Sequence, residues 1–151
     1  MTSCMSDRYF VDTNVLLYAH DRGAGAKHEP ARSLIERLWR ERSGAISTQV
    51  LQELYVNVRR KAAAPLSVVE CRRLIEDYLS WDVVVNDGAS VLRAIELEAR
   101  YGISFWDALI VQAAEQSGAA ILYSEDLSHG QRYGFVEVVD PLRDRRSTQG
   151  R

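Results

Sequence analysis

The chain has 151 residues, of which 46% are hydrophobic and 26% are charged, the size and composition of one globular domain with its own core. The formal net charge of −2 excludes a strongly basic nucleic-acid-binding protein. However, residues 1–75 carry 12 Lys and Arg against 8 Asp and Glu, whereas residues 76–151 carry 7 against 13. This asymmetry could bring a phosphate-binding surface beside a metal-binding one, but charge alone favours the simpler interpretation that the charges are scattered over solvated helix faces.

Two cysteines, Cys4 and Cys71, are too few for a disulfide framework and suit a reducing compartment. We expect Cys71 to lie in the core and Cys4 in a loose tail. No apolar run approaches the length of a membrane span, and no signal peptide precedes Tyr9. We therefore expect a cytoplasmic protein without membrane association.

The hydrophobic pattern of the first half predicts strands that alternate with helices. Residues 1–7 are polar and are expected to form a disordered tail that precedes the domain at residues 8–142. The predicted elements are a strand at 8–12, a helix at 15–20, a helix with Pro30 in its first turn, a strand at 45–47 and a helix capped by Thr48 that runs to residue 63.

In the second half, Ser67 and Glu70 form a capping box that opens a helix. The predicted elements are this helix to residue 79, a strand within 81–85, helices at 89–101 and 104–117, strands at 119–123 and 135–139, and a disordered tail at 143–151. Strands alternating with helices predict an α/β fold, in which a small parallel sheet has helices on both faces.

Four acidic residues stand where this layout brings them to one edge of the sheet. Asp12 ends the first strand, and Asp126 follows the strand at 119–123. Glu53 and Asp107 lie in the first turns of two helices. In a parallel sheet, the carboxyl ends of the strands and the amino ends of the following helices share one edge. The four carboxylates are therefore expected to converge.

Each of these acids also has a purely structural interpretation. Asp12 could cap the following helix, Glu53 could be a solvated surface carboxylate, and Asp126 could be a turn residue. Asp107 could complete a capping box with Ser104, although its apolar neighbours predict a helix buried nearly all round, where a carboxylate needs a partner. The functional interpretation depends on all four occurring together.

Carboxylates gathered in one pocket repel each other unless a cation neutralises them, and Mg²⁺ or Mn²⁺ prefers such oxygen ligands. Zinc is not expected, because no ligand spacing joins the cysteines to the three histidines, His20, His28 and His129. The sequence also lacks the glycine-rich phosphate loop GxxxxGK[ST] and the hydrolase motif GxSxG. Because these motifs are absent, the reaction class that we expect is metal-assisted catalysis.

Four segments occur in an order and at separations that resemble a known family: residues 10–14 (FVDTN), 48–53 (TQVLQE), 104–110 (SFWDALI) and 122–127 (LYSEDL). Together they resemble the PIN-domain ribonucleases of the VapC type, which are toxins of bacterial toxin–antitoxin pairs. The resemblance covers about residues 8–142. It implies a PIN-like α/β fold and metal-dependent endonucleolytic cleavage of RNA.

The resemblance also assigns roles by position. Asp12, Glu53, Asp107 and Asp126 match the four acids of the family's motifs, which implies that they hold Mg²⁺ or Mn²⁺. It implies a small antitoxin whose tail crosses the active-site groove, and it implies a homodimer.

Two further positions match polar residues that support the acids in the family, namely Asn14 and Ser124. We expect them to hydrogen-bond the carboxylates or their waters. Glu125 departs from the usual pattern and is a weaker candidate for an outer ligand. His129 could contact substrate, but a role in packing its loop is favoured.

The mechanism expected from this assignment is attack of a metal-activated water on a phosphodiester of single-stranded RNA. No side chain is an obvious general base, so the metal is expected to lower the pKa of the water. Arg22, Lys27 and the run Arg59, Arg60 and Lys61 are candidates for contacts with the RNA backbone. The run also suits the negative end of a helix dipole, which would be a purely structural role.

Two other functions compete with this one. A haloacid-dehalogenase-like phosphatase also has an aspartate after its first strand, but it requires a second acid two residues later, where this chain has Asn14. A non-catalytic PIN-fold module that binds RNA or protein would not need the four acids, so their presence argues against it.

Overall fold

The computed structural model describes residues 7–143, so the expected terminal tails lie outside it except for Asp7 and Arg143. The helices in this range are α1 (Thr13–His20), α2 (His28–Glu41), α3 (Thr48–Arg60), α4 (Val68–Tyr78), α5 (Gly88–Tyr101) and α6 (Phe105–Ser117). The strands are β1 (Tyr9–Val11), β2 (Gly44–Ser47), β3 (Asp82–Val84), β4 (Ile121–Tyr123), β5 (Arg132–Tyr133) and β6 (Val136–Val139). A single 3₁₀ turn at Gly25–Lys27 precedes α2.

The strands form one six-stranded sheet in the order β3-β2-β1-β4-β6-β5. Every neighbouring pair is parallel except β5 and β6, which form an antiparallel hairpin. All four residues of β2 are buried, and because successive side chains point to opposite faces, both faces of the sheet are covered there. The predicted α/β fold with a small, mostly parallel sheet is confirmed.

Two predicted boundaries of α3 are wrong. Ser47 caps this helix rather than Thr48, because the Ser47 hydroxyl accepts a hydrogen bond from the backbone N–H of Val50 at 3.3 Å. The helix ends at Arg60 rather than at residue 63. The carboxylate of Asp21 accepts hydrogen bonds from the next backbone N–H groups, those of Ala63 and Ala64, which turns the chain away from the helix axis.

Other differences lie at the ends of short elements. The first strand is shorter than predicted because Asp12 leaves it to cap α1, which therefore begins at Thr13 rather than residue 15. The prediction missed β5, a strand of two residues that is too short to produce a pattern. The turn after β5 contains Gly134 with a φ of 62°, and β6 then begins at Val136.

The core lies between the sheet and the helices, and α6 is its central helix. Residues 108–114 of α6 are buried, and α6 packs against five of the strands and against α5. Cys71 is fully buried, as predicted, and Trp39 packs on the rings of Tyr78 and Trp81. None of the helices between residues 7 and 143 has the length and apolar composition needed to cross a bilayer.

Candidate functional site

The carboxyl ends of three adjacent parallel strands, β2, β1 and β4, lie at one edge of the sheet. Asp12 directly follows β1, α3 directly follows β2, and the loop that begins at Ser124 directly follows β4. The first turn of α6 reaches the same edge, because the side chain of Gln49 in α3 donates a hydrogen bond to the carbonyl of Trp106 at 3.3 Å. This edge collects all four acids that the sequence singled out, and we call Asp12, Glu53, Asp107 and Asp126 the carboxylate cluster.

Asp12 is the buried member of the cluster, with 6% of its surface exposed. One carboxylate oxygen accepts a hydrogen bond from the backbone N–H of Thr13 at 2.7 Å, and the other accepts one from the Ser124 hydroxyl at 2.8 Å. The pKa of Asp12 is raised from 3.8 to about 7, chiefly by burial; the two hydrogen bonds oppose this rise, and the charges of Asp126 and Glu53 add to it. The predicted capping role is therefore real, but it leaves a carboxylate in an unfavourable electrostatic environment.

Glu53 is half-buried on α3, and two neighbours fix its orientation. The hydroxyl of Thr13 donates to one carboxylate oxygen at 2.6 Å, and the amide of Gln49 donates to the other at 3.3 Å. Thr13 thus bonds to two members of the cluster at once, since its backbone N–H bonds Asp12. Glu53 is therefore not the free surface carboxylate of the structural interpretation.

Asp107 is the third residue of α6, and its backbone N–H donates to the cap residue Ser104 at 3.1 Å. Burial raises the pKa of its carboxyl group, Ser104 opposes this rise, and the charges of Asp126 and Glu53 add to it. The expectation of a helix buried nearly all round is wrong at this end, because Trp106 is 63% exposed and Asp107 only half-buried. The first turn of α6 leaves the core, which exposes Asp107 to solvent on one side.

Asp126 is exposed in the loop after β4, and its carboxylate accepts a hydrogen bond from the side-chain amide of Asn14 at 2.8 Å. The Ser124 hydroxyl, fully buried, bonds both Asp12 and the backbone N–H of Leu127. The hydrogen bonds predicted for Asn14 and Ser124 are thus present. They join the loop after β4 to the start of α1.

A second connection holds this loop in place. Glu125 accepts hydrogen bonds on both carboxylate oxygens, one from the Tyr18 hydroxyl at 2.9 Å and one from the ammonium of Lys27. Lys27 also lies 4.8 Å from the centre of the Tyr18 ring. These contacts make Glu125 an anchor for the loop after β4 and neutralise its charge with that of Lys27. His129, farther along the loop, accepts a hydrogen bond from the backbone N–H of Asp140 at 3.1 Å.

The carboxylate cluster has no counter-ion among residues 7–143. None of its members is within 4.0 Å of a described Lys, Arg or His nitrogen, although many other acids of the chain form ion pairs. Its donors are all carboxylate oxygens, the type that Mg²⁺ and Mn²⁺ prefer. As they stand, however, no three His, Cys, Asp or Glu side chains of the described residues form a group that could hold a metal ion. The donor type and charge fit a divalent cation, and binding one would require the side chains to close on it.

The basic residues predicted to contact RNA lie apart from the cluster, with the exception of Lys27. Arg22 follows the carboxyl end of α1, and the run from Arg59 to Lys61 forms the end of α3. Both helices begin at the carboxylate edge, so these residues lie at their far ends. At 1.5 Å per residue, the distance along α3 from Glu53 to Lys61 is about 12 Å.

Sequence analysis missed the roles of Thr13, Gln49, Tyr18 and Lys27 at this site. Thr13 and Gln49 lie inside the motifs at residues 10–14 and 48–53, so the motifs did contain the signal for them. Tyr18 and Lys27 carried no signal, because their contact with Glu125 joins residues about a hundred positions apart.

Comparison with known proteins identifies the fold. Among the solved structures that are similar to the chain are the following three. One is "Mycobacterium tuberculosis VapC20, Sarcin-Ricin loop cleaving toxin", with 23% identity, a TM-score of 0.61 and coverage of 78% of this chain and 89% of that one. A toxin–antitoxin complex from Klebsiella pneumoniae has 18% identity, a TM-score of 0.63 and coverage of 88% and 97%. A DNA-bound VapBC from Salmonella typhimurium has 19% identity, a TM-score of 0.62 and coverage of 90% and 99%.

At these identities the structural neighbours establish the fold alone, and curated protein sequences give no significant match. The family model described as "PIN domain" matches residues 9–133, which is most of the chain and includes the whole carboxylate cluster. The chain belongs to the PIN domain family.

Proposed function

We propose that the protein is a metal-dependent endoribonuclease that cleaves single-stranded RNA, with Asp12, Glu53, Asp107 and Asp126 as the residues that hold Mg²⁺ or Mn²⁺. One observation carries this proposal. Four carboxylates from four segments of the chain share one edge without a cation among the described residues, and burial, with a smaller contribution from the charges of Asp126 and Glu53, gives Asp12 a pKa of about 7. A fold gains no stability from such an arrangement, whereas a bound cation would compensate the charges.

The donor set supports a hard divalent cation over zinc, since it contains only carboxylates. Such an ion supplies activation of a water and compensation of charge on a phosphoryl oxygen. Asp12, held by Thr13 and Ser124, would be the fixed ligand, because its two hydrogen bonds and its burial leave it one orientation. Glu53 and the more exposed Asp107 and Asp126 would complete the site from the solvent side.

The residues around the cluster would orient it. Thr13 and Gln49 hold Glu53, and Asn14 holds Asp126. Glu125 would not be a ligand in this scheme, because the Lys27 ammonium already neutralises its charge, whereas the four cluster acids have no cationic partner in the described range. Support of this kind typically accounts for a 10- to 100-fold effect on metal affinity.

We further propose that the protein acts as the toxin of a cytoplasmic toxin–antitoxin pair. Two similar structures are VapBC or toxin–antitoxin complexes, and a third is a toxin that cleaves the sarcin–ricin loop. By analogy, the partner of this chain would be a small antitoxin that covers the carboxylate edge. A homodimer is the oligomeric state that the family resemblance favours, and light scattering of the purified protein measures it directly.

The test is cleavage of a defined single-stranded RNA by purified protein with Mn²⁺, with Mg²⁺ and with excess chelator. Wild type is expected to cleave only with metal, and Asp12→Asn is expected to be at least about 10³-fold slower while its circular dichroism spectrum is unchanged. Glu36→Gln, at an exposed residue of α2, is the matched control for loss of one carboxylate and is expected to cleave normally. Equal rates for Asp12→Asn and wild type would refute the site assignment.

One observation favours the alternative of a non-catalytic binding module: the cluster is not closed enough to form a metal-binding group as it stands. The two functions differ in a calorimetric titration with Mn²⁺. A nuclease is expected to bind Mn²⁺ through the cluster and to lose this binding in Asp12→Asn. A module that binds RNA without binding metal or cleaving would replace the nuclease proposal.

A further inference from the structure

The cations of this protein divide into a paired and an unpaired set. Arg32, Arg93 and Arg132 each bond to at least one carboxylate, as does Lys27. A second set is exposed and forms no ion pair with any residue of the described range. Six of its members come from segments that contact one another, and we call them the basic surface: Arg22, Arg59, Arg60, Lys61, Arg72 and Arg73.

The basic surface is contiguous although it comes from three segments. The carboxylate of Asp21 bonds the backbone N–H groups of Ala63 and Ala64, which places Arg22 beside the end of α3. The backbone N–H of Leu66 donates to the carbonyl of Val58 at 3.0 Å, which brings the start of α4 to the same place. The residues that follow Asp21, those that end α3 and those that begin α4 therefore share one surface.

The pKa of Glu70 also indicates that the loop after α1 and helix α4 lie close together. The pKa of Glu70 is lowered first by its hydrogen bonds with Ser67 and then by the charges of Arg22 and Arg73. One carboxylate oxygen of Glu70 accepts the backbone N–H of Ser67 at 2.9 Å as part of a capping box. Glu70 thus lies among these cations without forming an ion pair with any of them.

Helix dipoles explain only part of this arrangement. Arg59 and Arg60 are in the last turn of α3, where a cation is favourable. Arg72 and Arg73 are in the middle of α4, and Arg22 is in a loop, so the dipole gives no reason for their accumulation. Six unpaired cations on one surface repel one another unless an anion binds there.

The proposed substrate supplies a reason for such a surface. Four carboxylates repel the phosphates of RNA, and the Lys27 charge beside them is already bound by Glu125. Affinity for an RNA chain must then come from cations elsewhere, since phosphate contacts account for most of the binding free energy. Helix α3 carries residues of both sites, with Lys61 of the basic surface about 12 Å farther along it than Glu53 of the cluster.

We propose that the basic surface is a second RNA-binding site, which holds the phosphodiester backbone of the substrate a few nucleotides away from the scissile bond. This inference rests on the proposed ribonuclease function and extends it. It assigns substrate affinity to the far ends of α1 and α3 and cleavage to their beginnings. It also adds Arg72 and Arg73, which the sequence did not suggest, to the residues that bind RNA.

The experiment compares a double variant, Arg60→Gln/Lys61→Gln, with Arg32→Gln/Arg132→Gln. Both remove two positive charges, but the control residues are already ion-paired. Cleavage of a 20-nucleotide and of a 4-nucleotide single-stranded RNA is measured with Mn²⁺ at several salt concentrations. A stacked strand advances about 3.4 Å per nucleotide, so two nucleotides beyond the scissile bond span about 7 Å and do not reach the basic surface.

For the 20-nucleotide RNA, Arg60→Gln/Lys61→Gln is expected to raise KM about tenfold at low salt and to change kcat less than twofold. The slope of log KM against log salt is expected to fall by about 1.4, since each single-strand phosphate contact contributes about 0.7. For the 4-nucleotide RNA, this variant and wild type are expected to have the same KM. The control double variant is expected to match wild type on both RNAs.

If Arg60→Gln/Lys61→Gln leaves KM for the 20-nucleotide RNA unchanged, the second site is overturned. The same holds if KM rises equally for both RNAs. Neither result contradicts the proposed ribonuclease function. If wild type does not cleave RNA, the proposed function fails, and fluorescence anisotropy with the same two RNAs still tests the surface. Binding of a polyglutamate peptide is measured in parallel. A variant that loses affinity for the peptide but not for RNA would overturn the proposal in favour of an acidic protein partner.

Discussion

The two edges of the sheet differ in charge and in packing. At the carboxyl edge, four acids face one another without a described counter-ion, and Asp12 keeps a pKa near 7. At the amino edge, Trp39, Tyr78 and Trp81 pack with ring centres 4.9–5.4 Å apart. There the Tyr78 hydroxyl bonds His20 at 2.6 Å.

This contrast separates stability from function within one small fold. The amino edge is packed so closely that a Cβ on Gly44 would lie 2.4 Å from the Trp81 ring, and Tyr78 is completely buried. At the carboxyl edge, repulsion between carboxylates lowers the stability of the metal-free fold, and packing elsewhere must compensate for this loss. We therefore expect substitutions at the amino edge to lower stability alone, and neutralisation of the buried acid Asp12 at the carboxyl edge to alter function while leaving stability equal or higher.

The largest effect on stability is expected at the amino edge. Tyr78→Ala removes a fully buried aromatic ring and should lower the free energy of unfolding by about 4 kcal/mol. Tyr78→Phe keeps the ring and loses only the hydrogen bond to His20, for a cost of about 1 kcal/mol. Urea denaturation measures both values. Equal losses for the two variants would mean that the hydrogen bond, rather than ring packing, dominates this edge.

The second effect has the opposite sign and appears at the carboxyl edge. The pKa of Asp12 in the folded protein, about 7, is above its ordinary value of 3.8, so the metal-free protein loses stability as pH rises through this interval. Between pH 5 and pH 8, the free energy of unfolding of wild type should fall by about 3 kcal/mol more than that of Asp12→Asn, since one pKa unit corresponds to about 1.4 kcal/mol. Urea denaturation in chelator at the two pH values measures this difference.

A divalent metal should remove the same pH dependence, because a cation favours ionised Asp12. Saturating Mn²⁺ is expected to stabilise wild type more at pH 8 than at pH 5, and to leave Asp12→Asn nearly unaffected. If the stability of wild type without metal changes between the two pH values no more than that of Asp12→Asn, then ionisation of Asp12 does not destabilise the fold.

The loop anchor at Glu125 is expected to have a smaller effect. Glu125→Gln loses the ion pair with Lys27, so the loop that carries Asp126 should be held less firmly. Mn²⁺ affinity is expected to fall about tenfold. Calorimetric titration measures it, with Glu137→Gln as control because Glu137 also pairs with a cation but lies on β6. Unchanged affinity would show that the Ser124 and Asn14 contacts are sufficient to hold the loop.

The smallest effect is expected from the hydroxyl of Thr13. Thr13→Val keeps the shape of the side chain and removes its hydrogen bond to Glu53, which should cost about 1 kcal/mol. A double-mutant cycle with Glu53→Gln isolates this contact in urea denaturation without metal. A coupling energy of zero would mean that Gln49 alone orients Glu53.

The regular elements of this fold could be read from local patterns. The apolar run ending at Asp12, the capping box of Ser67 and Glu70, and Gly102 after α5 each depend on residues within one or two turns of one another. Such signals are complete in the sequence, so they predicted the alternating elements and hence the parallel sheet. They were imprecise only where a distant residue ends an element, as Asp21 does beyond α3.

The sequence by itself determined which acids are available and on which side of the sheet they must lie, because strand direction fixes that edge. Only the tertiary structure decided how these acids are held. The Thr13–Glu53, Asn14–Asp126 and Glu125–Lys27 contacts join residues 40 to 112 positions apart. No local periodicity encodes contacts over such separations, since they exist only after the strands have paired. The same reason explains why the basic surface, built from three segments, was visible in the sequence only as separate cations.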